Sequence, residues 1–282
     1  MAELTLRNQV VRYKWRILPA YALVIVESLL EILYPLVIGL AINDLLLGSY
    51  EGILHLAGLG LFSIAIGSIR RFYEARTYST IYSQIAPEMV DRELTKGSSI
   101  SSIMARSSLL TEFTEFLEWS MPEVVSTAVY LIGILVIIAN LNIKVFIGCL
   151  ILLGLVVVVY LVTGKLNLRL NASYNDQLEQ QVEALERRNS AIIKNYYKTL
   201  MKWNVKLSDL DTIEFMVVWF GVIALLVYTA IAVVTQDLVV YGLAFAVVLY
   251  VFDYIDVVIT LPDHIQQLIR LNEISGRLSE QN

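Results

Sequence analysis

The chain has 282 residues, of which 57% are hydrophobic and 17% charged, with a mean hydropathy of +0.66 and a formal net charge of −5. A soluble domain of this size cannot hide so much apolar surface in one core, so composition excludes one or two soluble domains. The lone cysteine, Cys149, excludes an intrachain disulfide and, inside an apolar run, reads as a packing residue.

A helix needs about 20 mostly apolar residues to cross a bilayer. The N-terminal segment 1–16 does not qualify: it mixes Leu, Val, Tyr and Trp with Arg7, Arg12, Lys14 and Arg16, which predicts an amphipathic elbow helix on the inner leaflet. No small-residue cleavage site follows it, so no secretory leader is expected. The first span is predicted over Ile17–Ile42 and the second over Ile53–Ile69, joined by a short turn. Residues 70–122 form a long polar loop of helical character, with breaks expected at Pro87 and at Lys96–Ser102. The third span covers Val124–Asn140, the turn Leu141–Asn142 follows, and the fourth covers Ile143–Val162. A second long loop, residues 164–212, reads as continuous helix from Asp176 onward, with Glu183 and Arg187 as an i,i+4 ion pair. The fifth span, Ile213–Val234, and the sixth, Leu238–Leu261, are joined by the turn Thr235–Asp237.

Lipid offers no partners for backbone polar groups, and these runs lack period-two alternation, so they are expected to be helices. Of the 21 Lys and Arg, 20 lie in the termini and the two long loops, and only Lys144 sits near a short turn. The positive-inside rule then predicts both termini and both long loops in the cytoplasm, with the chain multi-pass in the inner membrane. The expected fold is an all-α membrane protein, a single six-helix domain over residues 1–282 with long cytoplasmic helical extensions.

Ionisable groups cost on the order of 2.5–3.5 kcal/mol within a membrane even on insertion scales, and they face the protein interior or water. Glu27 and Glu31 lie one turn apart in the first span. Their face continues through Pro35, Gly39 and Asn43, a polar and small stripe on a helix otherwise lined by Leu, Ile and Val. Glu27 lies roughly 15 Å above the inner end of its helix. Asp253 and Asp256 form a second acidic pair in the inner half of the sixth span. Crowded carboxylates of this kind can bind and release protons, and they would also attract cations, with Tyr250 and Tyr254 offering ring faces. The alternative is structural: Glu27 and Glu31 pair with Arg70, Arg71 or Arg76. Glu112, Glu115 and Glu118 read as a solvated helix face, with Glu123 just beyond, or as a surface for a partner. His55 and His264 stand far apart, and no metal-ligand cluster is visible.

Three stretches carry a resemblance. LYPLVIGLAINDLL, with Pro35, Gly39 and Ile42, resembles the end of the first span in ABC exporters, although Asn43 replaces the family's Asp. ISSIMARSSLLTEFTEFL is similar to the loop that docks on the ATPase, with Arg106 at its basic position. LPDHIQQLIRLNEISGRLSEQ is similar to the stretch leaving the sixth span, with Pro262 and Arg277. The resemblance implies a type IV ABC-exporter transmembrane fold, a homodimer, and docking through Arg106 and Glu183. It also implies that Glu27, Glu31, Asp253 and Asp256 border one central cavity.

No G-x-x-x-x-G-K-[ST] phosphate cradle is present; Gly164-Lys165 lacks both the spaced glycine and the hydroxyl. The chain is therefore expected to be no enzyme and to need no cofactor, metal or nucleic acid. Two functions are expected in turn: an exporter-like homodimer without its own ATPase, moving a small cationic or peptide-like substrate by proton coupling, or the membrane subunit of a transporter powered by a separately encoded ATPase.

Overall fold

A computed structural model describes the backbone of residues 6–235 and 240–280 and the side chains of residues 11–235 and 240–268. Within them six helical stretches are long and apolar enough to span a membrane: Val11–Leu46, Glu51–Thr95, Ile100–Leu141, Ile143–Glu186, Ser190–Val234 and Tyr241–Leu268. No strand occurs among the described residues. The 45-residue helices are each about 67 Å long, against a hydrocarbon core of about 30 Å, so more than half of each extends beyond the bilayer.

The first stretch is two helices, α1 (Leu6–Ile32) and α2 (Tyr34–Leu46), separated at Leu33. Pro35 sits in the first turn of α2, where its missing N–H costs least. From Leu6 the basic N-terminal segment is helical, and it runs unbroken through Pro19 into the span. Its inward side does not lie open for a leaflet. Tyr13 and Ile17 are buried together with Tyr78, Ile81, Ile85, Met89, Leu110, Phe113 and Leu117. The Tyr13 hydroxyl donates to Gln84 Oε1 at 3.0 Å, and Arg12 pairs with Glu88 at 2.8 Å.

Helix α3 (Glu51–Thr95) corrects the expectation at Pro87, which it passes without a break. The apolar cluster just described flanks Pro87 with Ile85 and Met89 on one helix face, and that packing outweighs one lost backbone bond. The chain does turn after Thr95, where Gly97 takes a φ of +74°, a region glycine enters at little cost. Ser99 then caps α4 (Ile100–Glu115) by accepting from the Ser102 N–H. A π-helical turn, Phe116–Ser120, joins α4 to α5 (Met121–Leu141).

The second loop is also corrected. Its helix is not continuous: α6 (Ile143–Glu179) gives way to the short α7 (Gln181–Glu186), and a turn at Arg187–Asn189 precedes α8 (Ser190–Val234). Arg188 takes a φ of +46°, and the Asn189 side chain accepts from the Ala191 and Ile192 N–H groups, an N-cap. Glu183 and Arg187 form the expected pair at 2.6 Å. The last helix, α9 (Tyr241–Glu280), passes through Pro262. Of the turn expected at Thr235–Asp237 only Thr235, which closes α8, is described, and the rest of it and the side chain of Arg277 lie outside the described residues.

Two compact units result, residues 143–235 and the rest. In the smaller, α6 and α8 bury Cys149, Leu152 and Val156 together with Val218, Val222 and Leu225, so Cys149 is a packing residue. The larger unit is discontinuous in sequence: α9 completes a bundle otherwise made by α1 to α5.

Candidate functional site

Every membrane-embedded carboxylate singled out above belongs to the larger unit. Glu27, on α1, is buried and ion-paired with Arg70 Nε of α3. Arg70 also reaches Glu74, one turn further along α3, at 3.5 Å. Of the three arginines considered as partners, the structure selects Arg70. Arg76 donates instead to the Phe72 carbonyl.

Gly67 makes this contact possible. A Cβ built there would lie 2.6 Å from Glu27 Oε1 and 3.4 Å from Cδ, so the carboxyl rests directly on the backbone of α3. Glu74 is buried as well. It lies one turn beyond the second apolar run, with Glu27, Glu118 and Arg71 also within electrostatic range.

Glu31 is handled differently. It is exposed on the chain, and the Tyr130 hydroxyl of α5 donates to its carboxylate. Glu27, Glu31 and Asp253 all act electrostatically on that hydroxyl, and Asp256 acts on Asp253. Asp253 is half-buried and Asp256 exposed. Three of the four acids expected from sequence thus lie within electrostatic range of one tyrosine that sequence reasoning missed, and Asp256 reaches only Asp253. A single Tyr in an apolar run carries no signal of its own, although Ser126, Thr127 and Tyr130 put three hydroxyl groups close together on α5.

Helix α5 uses all three groups. Ser126 shares a 2.8 Å hydrogen bond with Ser28 of α1, and Thr127 bonds His264 Nε2 of α9 at 3.0 Å. His264 is buried and tied to α5 rather than isolated.

The tyrosines of α9 require a correction. Tyr250 and Tyr254 are fully buried, so neither presents an open ring face to a cation. Tyr250 donates to the Ile32 carbonyl at 2.7 Å, the carbonyl just before the break between α1 and α2. It therefore braces the kinked span. Asn43 is structural too: its Oδ1 accepts from the Gly242 N–H at 2.8 Å, capping α9 from a neighbouring helix. Gly39 and Gly242 lie backbone to backbone at this crossing, since a Cβ on either would overlap the carbonyl oxygen of the other.

Arg106 and Glu183, the residues read as docking groups, are 77 positions apart and each is ion-paired. Arg106 bonds Glu93, which is only 2% exposed and also holds Lys96 and the Ser98 hydroxyl. Burial alone would raise the Glu93 carboxyl, but the Ser98 hydrogen bond and the charges of Arg106 and Lys96 outweigh it and hold the carboxyl below its usual range. A carboxylate so lowered stabilises the fold above its unfolded value and loses that contribution only as acidification passes its folded one. The clamp therefore persists at neutral pH. Replacing Arg106 by Ala should loosen it by about 3 kcal/mol, the low end for a broken buried pair because Lys96 remains. Amide exchange at residues 93–103 should quicken by about two orders of magnitude, while α5 stays protected.

Beyond the clamp, Leu94, Ile100 and Met104 are exposed, an apolar tip at the turn. No group of three or more metal-ligating side chains occurs among the described residues.

No curated protein matches the chain. Residues 6–242 match the family described as ABC transporter transmembrane region, which takes in five of the spans and the beginning of the sixth. Six membrane-spanning helices with long extensions fit that match, and the chain belongs to this family of transporter membrane domains.

Proposed function

We propose that the chain is a proton-coupled transporter of small cations, working as a homodimer without hydrolysing ATP itself. Both termini and the long extensions lie in the cytoplasm, as the distribution of Lys and Arg supports.

One observation carries the proposal. Glu31 and Asp256 are exposed and Asp253 half-buried on the larger unit at membrane depth; the Tyr130 hydroxyl donates to Glu31 and lies within electrostatic range of Asp253, on which Asp256 acts. Lipid cannot solvate such groups. A second copy and enclosed water are what these groups require, and the enclosed volume is strongly negative. Protons and cations compete for it, which is the minimum needed for exchange. Glu27, already matched by Arg70, lies at its edge.

The test uses purified protein alone in liposomes, an imposed pH gradient, and ethidium as a fluorescent cation probe. Gradient-dependent accumulation is expected, falling at least tenfold in Glu31→Gln and in Glu27→Gln. Accumulation that ignores the gradient, or that survives both substitutions, refutes the proposal.

The second reading, a membrane subunit served by a separate ATPase, is favoured by the exposed tip Leu94, Ile100 and Met104, held in place by the Glu93 clamp. It gains if ATP drives probe movement in native membrane vesicles after the proton gradient has been dissipated.

A further inference from the structure

Two acids and one base occupy a row in the larger unit: Glu27, Arg70 and Glu74. Glu27 and Glu74 are 9% and 8% exposed, so water does little to screen either. With both acids ionised the row carries a net charge of −1 in a poorly solvated place; with one protonated it is neutral. Desolvation therefore favours a single proton shared between two carboxyls.

We propose that Arg70 is a shuttle cation that makes protonation of Glu27 and of Glu74 mutually exclusive. In one state Glu27 is ionised on the guanidinium and Glu74 holds the proton. When a proton binds Glu27, the ion pair there is lost and the guanidinium turns fully to Glu74. Glu74 then releases its proton on the side of the long extensions. One proton enters and one leaves; the row is neutral in both resting states and carries +1 only in the short interval between the two steps, which is what drives the proton off Glu74. The state resets when the proton on Glu27 passes to Glu74 as the guanidinium returns, with no exchange on either side.

Geometry supports the shuttle. Arg70 touches Glu27 through Nε and faces Glu74 through Nη1, so a change of partner needs a rotation of one side chain rather than a movement of helices. Gly67 leaves the Glu27 carboxyl no backing side chain. The other charged groups around Glu74 are Glu118 from the π-helical turn and Arg71 of α3, with the hydroxyls of Tyr21 and Tyr78 nearby. Glu118 and Arg71 are of opposite sign, so they leave the count of the row unaltered.

The inference deepens the proton-coupled reading, but its test needs no transport. Infrared titration of the whole protein in lipid nanodiscs resolves protonated carboxyl groups, and the band missing from Glu74→Gln belongs to Glu74. With Glu27→Gln, a permanently neutral neighbour, the Glu74 midpoint should fall by about one pH unit or more, and with Arg70→Gln it should rise by a similar amount. If Glu27→Gln does not assemble, Glu27→Asp withdraws the acid from the guanidinium and should move the midpoint in the same downward direction. A Glu74 midpoint unmoved by these changes overturns the shuttle. If ethidium uptake then still follows the gradient, only the shuttle is wrong. If the midpoint moves but the gradient drives no uptake, the transport proposal alone fails.

Discussion

Replacing Gly242 by Ala should destabilise the larger unit by about 3 kcal/mol or more, because the new methyl group has nowhere to go. At this crossing the neighbour is not a pliable side chain but the carbonyl of Gly39, with the Asn43 amide beside it. Either α9 moves away from α2 or the Asn43 to Gly242 hydrogen bond breaks, and separation would expose the capped N–H of Gly242 as well. For a chain of this size such a loss lowers the unfolding midpoint by roughly 5 °C or more, readable by thermal unfolding in detergent. Gly58, which has open space around it, is the matched control, and its Ala variant should unfold close to the unaltered protein. A Gly242→Ala protein with an unchanged midpoint would mean that the two helices do not cross here.

The second large effect belongs to Arg70. Removing the guanidinium by Arg70→Ala strands two buried carboxylates, Glu27 and Glu74. Breaking a buried pair by deleting one partner costs about 3–5 kcal/mol, mostly the desolvation of the charge left behind. Protonation is the escape, so the penalty should be smaller at pH 6 than at pH 8. A double variant, Arg70→Ala with Glu27→Gln, should recover part of the loss and flatten its dependence on pH, because one orphaned charge is gone. Thermal unfolding of the four proteins at both pH values measures this. Strictly additive losses would show that Glu27 and Arg70 do not interact.

Much of this protein was legible because a bilayer is a demanding solvent. Apolar runs of fixed length, the placement of 20 of 21 basic residues, and acids within those runs all follow from the cost of charge in hydrocarbon. The turn at Gly97 was readable for a different reason, as glycine among serines is a local turn signal that needs no distant partner. What was not readable depends on partners distant in sequence. Pro87 signals a break by every local rule, yet α3 continues because Ile85 and Met89 pack into a cluster supplied by α1, α4 and the π-helical turn. The run from Asp176 has good helix formers throughout, but its capping signal, Asn189 followed by Ser190, lay inside what read as uninterrupted helix. Tyr130 became a site residue only once α5 lay beside α1. Tyr250 and Tyr254 went the other way: aromatic rings near acids suggest a cation platform, but packing and the Ile32 carbonyl already use them.

The discontinuity of the larger unit also sets an order of assembly. Asn43 meets its partner Gly242 across 199 positions, and Ile32 waits 218 for Tyr250. A ribosome adding about 5–20 residues per second delivers α9 roughly 10–40 s after α2. Throughout that interval the open carbonyl at the α1 to α2 break and the Gly39 face stand in the membrane without their mates. The smaller unit, by contrast, is contiguous and can pair α6 with α8 as soon as both have emerged. Maturation should therefore hinge on the last span, and substitutions that weaken its seat will show first as slow, protease-sensitive biogenesis rather than as a changed resting structure.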